Sequence, residues 1–198
     1  GYDGAGNLDI VNVDFAKLNL PPNFPIQTVQ SVKTDVQQIY GPDLGVNGFE
    51  EITGLRTSIS KHSRFGKVRV QGIIVTSNNW TTTGVAVKVM KIGRYGALEY
   101  LGGGLASNTN GIGAEAGSRL RVTGQANVTG AYSNSTIPFD IIDVDPNPRG
   151  STVEYVVLAR LWSGATGYIN RSSYDTNIND YVYRTVSTLT LTELTPDV

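Results

Sequence analysis

Four carboxylates that lie close together in the chain are the first candidates for chemistry. Asp140, Asp143, Asp145 and Glu154 could supply the paired acids that cleave glycosidic bonds. Asp143 and Asp145 would point to the same side of a strand, but Pro146 follows them directly. Because aspartates beside a proline commonly stabilise turns, we expect that role rather than catalysis, and we predict no catalytic residues.

The same segment also offers oxygen ligands for a cation. Asp143, Asp145 and Asn147 alternate along the chain, as calcium ligands do in many loops. The glycine and the late glutamate of a helix–loop–helix calcium motif are missing. We therefore predict no metal ion.

His62 is the only histidine, and the chain has no cysteine. These counts exclude zinc fingers, iron–sulfur centres, disulfide frameworks and thiol catalysis. His62 follows Lys61 in a short basic turn, and no acid near it in sequence could orient the ring. We expect a solvated turn residue rather than a base.

Aromatic and amide side chains in polar segments suggest carbohydrate recognition. Aromatic rings bind the apolar faces of sugars, while asparagine bonds the hydroxyl groups. Such side chains can also pack beneath their own loops. The candidate ligand residues are Asn78, Asn79, Trp80, Tyr95, Tyr100 and Tyr132.

Composition limits the possible partners. The chain has 198 residues and a formal net charge of −1, with 16 basic and 17 acidic side chains. It has no basic excess to attract nucleic acid, and no apolar run is long enough to suggest membrane insertion. We predict no cofactor.

Short segments of alternating apolar and polar residues must position these side chains. They recur at 26–40, 49–59, 67–76, 85–89, 98–101, 119–128, 137–144, 152–162 and 186–194. Turn residues separate them, and no long segment has helical periodicity. The pattern predicts an all-β fold of about eight to ten strands, an antiparallel β-sandwich or jelly roll. Gly54 breaks one strand, and Gly72 interrupts another and suggests a bulge.

The first 25 residues differ from the remainder. Pro21, Pro22 and Pro25 favour a stiff, extended connector. We expect residues 1–25 to be an arm or linker that joins the domain to something upstream or lies along a neighbouring subunit, or else a disordered end. Residues 26–198 would form the sandwich domain, and the chain would be a piece of a longer protein.

The segment 153–162 is apolar on both faces, whereas a sandwich strand normally has one wet face. A loop of the same chain, such as 102–118, could cover the second face. We favour a subunit interface formed by Val156, Leu158 and Trp162.

From residue 25 to 194 the sequence resembles the C-terminal domains of tail fibres and related virion structural proteins of tailed bacteriophages, particularly cyanophages and marine phages. The resemblance rests on the order and spacing of several motifs. They are IQTVQSVKTD at 26–35, FEEITGLRTSIS at 49–60, KVRV at 67–70, GAEAGSRLR at 113–121, GYINRSS at 167–173 and TVSTLTLTEL at 185–194. Residues 78–111 do not match the pattern, so the resemblance supplies no ligand residues.

The resemblance implies a β-sandwich, a homotrimer and a place on the virion, at the end of a tail fibre that contacts the host. We therefore expect a non-enzymatic attachment protein whose receptor is a host-surface glycan or protein and whose N-terminal arm contacts other virion proteins. Two alternatives stay open. One is a capsid decoration or fibre-attachment protein without a receptor role, and the other is a polysaccharide depolymerase.

Overall fold

Eleven β-strands form the regular structure of the described part of the chain in a computed structural model. They are β1 (Pro25–Lys33), β2 (Gln37–Ile39), β3 (Glu50–Ser60), β4 (Lys67–Asn78), β5 (Gly84–Ile92), β6 (Leu98–Tyr100), β7 (Gly124–Asn127), β8 (Ser135–Asp143), β9 (Thr152–Arg160), β10 (Gly167–Ile169) and β11 (Ser187–Leu194). The structure describes residues 20–40, 48–63, 65–79, 84–93, 96, 98–101, 121–127, 133–144, 152–161, 165–175 and 182–196. No helix able to span a membrane occurs among them.

β4 is the centre of a six-stranded antiparallel sheet. β8 and β10 both pair with Thr76, so they lie on opposite edges of β4. β11 pairs with Lys67–Ile73 on the edge that β10 occupies, because β8 fills the other edge there. β1 extends the sheet beyond β11, and β2 extends it beyond β10. The sheet therefore depends on one long strand that three others pair with.

The second sheet has five strands and a divided edge. β9 lies between β3 and β5, and all pairings are antiparallel. The free edge of β5 is shared, since β7 pairs with Gly84–Val87 and β6 with Met90–Ile92. Lys88 and Val89 lie at the gap between the two short strands.

Apolar side chains from both sheets meet in one core. Period-two alternation sends every second residue of each strand inward, as the sequence predicts. The core includes Val68, Val70, Ile74, Leu189 and Leu191 of the first sheet and Val85, Val87, Tyr155, Val157 and Ala159 of the second. The prediction of an all-β antiparallel sandwich is confirmed.

The predicted irregularity at Gly54 is confirmed, but the bulge predicted at Gly72 is wrong. Gly54 has a φ of 86°, and the register between β3 and β9 shifts around it. β4 runs through Gly72 with no shift against β8 or β11. Gly72 faces the core, where a Cβ atom would collide with the Phe139 ring and the carbonyl oxygen of Thr188.

Gly72→Ala should therefore destabilise the protein by about 1–3 kcal/mol, because the added methyl group overpacks the core. Urea unfolding measures the change, with Gln71→Ala as the control on the outer face of the same strand. An alanine variant as stable as the control would contradict the close approach at Gly72.

The predicted strand at 119–128 is shorter among the described residues 121–127: β7 begins at Gly124, and Arg121 and Val122 precede it. Residues 1–19 of the predicted arm lie outside the described residues. Thr195 binds the end of that segment through the carbonyl oxygens of Pro21 and Phe24, at 2.7 and 2.9 Å.

The second face of β9 is covered within a single chain, which corrects the premise of the interface prediction. Val156 is fully buried and Leu158 is 5% exposed. They pack with Phe49 and Met90 in a separate apolar cluster, against Ile92, Leu98 and Val122. An uncovered apolar face therefore no longer argues for a trimer. Trp162 lies outside the described residues.

Leu158→Asp should unfold the chain rather than dissociate an assembly. Burying a carboxylate in the Phe49 cluster should cost more than about 3 kcal/mol in the free energy of unfolding. Val32→Asp is the matched control, because Val32 is 50% exposed on β1. A Leu158 variant that keeps its stability but has a smaller mass by light scattering would instead support the interface.

Candidate functional site

The predicted ligand residues do not form one described site. Asn78 is only 3% exposed at the end of β4, so burial removes it as a surface ligand residue. Asn79 is exposed, but its Oδ1 atom accepts a hydrogen bond of 2.9 Å from the backbone N–H of Thr166. Its main-chain N–H donates in turn to the Thr166 carbonyl oxygen at 3.0 Å. Asn79 therefore continues the pairing of β4 with β10 by one residue.

The aromatic candidates are not tested by the described residues. Trp80, Tyr95 and Tyr132 lie outside them. Tyr100 pairs with Met90 through its backbone in β6. Their role in ligand binding stays a prediction.

The carboxylates weighed for glycoside cleavage are held apart. Asp140 lies on the outer face of the first sheet, where Arg69 Nε donates to it at 2.8 Å. That bond holds the pKa of Asp140 below its usual value. Glu154 lies on the second sheet, 3.5 Å from Arg56 of the neighbouring strand. Asp143 is buried between the two sheets. Asp145 lies outside the described residues.

His62 has a partner that sequence proximity could not indicate. Glu193, fully buried on β11, accepts hydrogen bonds from the backbone N–H groups of His62 at 2.8 Å and Ser63 at 2.7 Å. Its other oxygen accepts from Gln27 Nε2 at 2.8 Å and lies 3.3 Å from His62 Nδ1. The carboxylate fastens the 61–63 turn to the sheet, which is a structural task.

Asn170 is a second buried polar centre. Its Nδ2 donates to the carbonyl oxygens of Lys33 and Asp35 at 2.8 and 3.0 Å, and its Oδ1 accepts from Ser187 Oγ at 2.7 Å. With a φ of 64°, Asn170 adopts the left-handed conformation that asparagine tolerates. It links the segment between β1 and β2 to β11.

A cavity that could hold a ligand lies at the divided edge of β5. Its volume is about 380 Å³. Thr123 bonds to β5 in the gap between β6 and β7. Its Oγ1 accepts a hydrogen bond of 2.9 Å from the Val89 N–H, and its own N–H donates to the carbonyl oxygen of Val87 at 2.8 Å. The lining combines charged and apolar side chains: Lys88, Val89, Leu101, Arg121, Val122, Thr123, Pro138, Phe139, Asp140 and Ile141.

Positive charge is concentrated beside this cavity. Lys88 is 3% exposed, and its Nζ lies 4.8 Å from the centre of the Phe49 ring. Arg160 approaches the same ring at 5.9 Å. Burial, and then repulsion from Arg160 and Arg121, lowers the pKa of Lys88 to about 8. An anion entering here would relieve that repulsion.

Sequence reasoning missed this cavity because its residues come from four separate segments. Arg121 appears in an alternating segment, and Lys88 is a polar position in a strand of valines. The only available signal was a lysine on the second face of β5. Met90, two residues further along the strand, lies on the same face and is apolar. Lys88 therefore lies beside a buried apolar cluster.

A compact polar cluster lies between the sheets, beside the core. Tyr155 Oη donates to Asp143 Oδ2 at 2.8 Å, and Lys91 Nζ lies 3.6 Å from the same oxygen. Glu99 Oε2 lies 3.8 Å from Lys91 Nζ. No group of three or more acidic or histidine side chains within the described ranges is placed to share a metal ion.

No protein-family model matches the sequence, and no curated protein matches it. Among solved structures, a chain in the structure of infectious bursal disease virus strain Gt is similar, with 13% identity and a TM-score of 0.38. A chain in the structure of the Gx strain has 12% identity and a TM-score of 0.40. Each match covers 89% of this chain but only 43% and 42% of the viral chains. The chain thus spans less than half of their length, and similarity this distant carries no inference about function.

Lys88→Met should stabilise the protein at pH 7 by up to about 3 kcal/mol. The folded protein binds this proton less tightly than the unfolded chain, so charged Lys88 destabilises the fold below about pH 8, and the cost fades as the pH rises towards the ordinary value of 10.5. Urea unfolding at pH 7 and pH 10 measures the difference, with Lys67→Met at the start of β4 as control. A methionine variant less stable than the native protein at pH 7 would contradict the buried charge.

Proposed function

We propose that this chain is a structural component of a virion and, more specifically, the distal domain of a tailed-bacteriophage tail fibre that attaches to the host surface. The ordered motifs support this proposal, and several of them fall on described strands of the sandwich. The motif at 49–60 includes β3, the motif at 185–194 includes β11, and the motif at 167–173 includes β10 and Asn170.

The non-enzymatic part of the proposal rests on the contacts that acidic side chains make within the fold. Glu193 fastens a turn, Asp140 pairs with Arg69, and Glu154 pairs with Arg56. Glycoside cleavage needs two carboxyl groups facing one bond, about 5–10 Å apart, with access to substrate. These three carboxylates lie on different faces of the sandwich and are engaged in structural contacts. This distribution favours attachment over depolymerisation.

The cavity at the divided edge of β5 suggests what is bound. Lys88 and Arg121 line it, Arg160 adds positive charge nearby, and apolar atoms of Leu101 and Phe139 supply a surface for a sugar ring. We infer an anionic host-surface glycan as the ligand. A single cavity of this size would bind weakly.

A homotrimer would compensate for weak single sites. Linked sites can gain a factor of about 10² to 10⁴ in affinity without new contacts. Because Val156 and Leu158 are covered by their own chain, the trimer contacts of this proposal would lie elsewhere. Light scattering that gives three times the chain mass supports the trimer, and a stable monomer at micromolar concentration contradicts it.

Two experiments on virions that carry this chain test the location and the role. Gold-labelled antibodies should mark tail tips, and the purified protein should compete with the virion for adsorption to host cells. Labelled heads would support the decoration-protein alternative and contradict the fibre.

Arg121→Ala should weaken the competition about tenfold or more, because it removes a cation from the cavity wall. Arg184→Ala is the matched control, since Arg184 is an exposed cation that pairs with Asp175. Equal competition by both variants would contradict the cavity as the ligand site, while labelled tail tips would still support the fibre.

A further inference from the structure

Three neighbouring side chains on the inner face of the second sheet face one aspartate of the first sheet. Lys91 on β5 lies directly opposite Glu99 on β6 and Tyr155 on β9. Asp143, the last residue of β8, approaches these side chains from the other sheet. From this arrangement we propose that Lys91 and Asp143 condense to an isopeptide bond that joins the two sheets. The inference does not depend on the proposed function.

The distances suit a reaction better than a strong ion pair. Charge-assisted hydrogen bonds between an ammonium and a carboxylate are usually about 2.7–2.9 Å long. Lys91 Nζ lies 3.6 Å from Asp143 Oδ2, which is longer than such a bond. Reaction requires Nζ to come within about 3–3.5 Å of Cγ, the atom that it attacks. The amine therefore stands beside the carboxylate and can approach its Cγ atom by a small shift.

Burial favours the product over the two separate charges. Asp143 is 2% exposed and Lys91 is 9% exposed. Keeping an ammonium and a carboxylate in an apolar interior is costly even when they are paired. An amide is neutral, and its formation releases water from the core. Both consequences favour condensation.

The reaction balances without another reagent. Nζ of Lys91 forms a bond to Cγ of Asp143, and the bond between Cγ and one carboxylate oxygen breaks. The ammonium loses two protons, which leave with that oxygen as water, so the products are one amide and one water molecule. No oxidant, metal or activated group is required.

Two neighbours can assist the step. Glu99 lies 3.8 Å from Lys91 Nζ, and its side chain is 37% exposed. It can accept a proton from the ammonium and return it to the departing oxygen. Tyr155 Oη, at 2.8 Å from Asp143 Oδ2, can donate to the oxygen on which negative charge develops.

The fold fixes both reacting side chains before the reaction. Lys91 belongs to a strand paired on both edges, and Asp143 ends a strand that pairs with β4 along its whole length. Such intramolecular positioning can raise effective concentrations to about 10⁵–10⁸ M. The bond would connect β5 to β8 and would resist separation of the two sheets by pulling.

Intact mass spectrometry of the denatured full chain tests the proposal. The protein, purified folded and incubated until its mass is constant, should weigh one water molecule less than its sequence. Peptide mapping should find the peptide that contains Lys91 joined to the one that contains Asp143. A folded protein of full sequence mass would overturn the proposal, and so would a water loss located elsewhere.

Variants separate the bond from the ion pair. Lys91→Arg keeps the positive charge but should retain full mass, and Glu99→Gln should slow the loss of water at least tenfold. Lys33→Arg is the matched control, since Lys33 is also buried and lies 2.8 Å from Asp35, so this variant should lose water as the native protein does. Water loss in Lys91→Arg, or an unchanged rate in Glu99→Gln, would contradict the assigned roles.

Discussion

The fold depends on covering both faces of β9, because this strand carries apolar side chains on each of them. On one side of β9, Tyr155 and Val157 join the main core, and on the other side Val156 and Leu158 pack with Phe49. The same chain supplies both covers, so folding of the domain does not need a neighbouring copy to bury this strand. Assembly is then free to use other surfaces, and the stability of the sandwich is separate from its oligomeric state.

Buried polar groups secure the irregular parts of the sandwich. Glu193 binds the backbone of the 61–63 turn, and Asn170 binds carbonyl groups after β1. Because an unsatisfied buried polar group is costly, each of these contacts specifies one position for a loop that apolar packing alone would leave variable. The same contacts explain why residues with reactive side chains contribute to the scaffold.

Strands, fold class and the irregularity at Gly54 could be predicted from the sequence, because alternation and turn residues are local signals. Three features could not. Gly72 interrupts the apolar pattern and so suggests a bulge. The position needs glycine because the Phe139 ring approaches it from β8, a strand that is remote in sequence but pairs with β4. The cover of Leu158 comes from segments far apart in sequence, and alternation indicates that a face is apolar without indicating what covers it. The pairing of Lys91 with Asp143 likewise depends on how the two sheets are superposed.

The most direct test of the central claim is hydrogen exchange of the β9 amides at a dilution where light scattering gives the mass of a single chain. If one chain covers both faces of this strand, the amides of Val156 and Leu158 stay protected in the monomer, to the same degree as in concentrated samples. If protection is lost together with association, the second face of β9 is buried by another copy, and the description of the chain as a self-contained sandwich is contradicted.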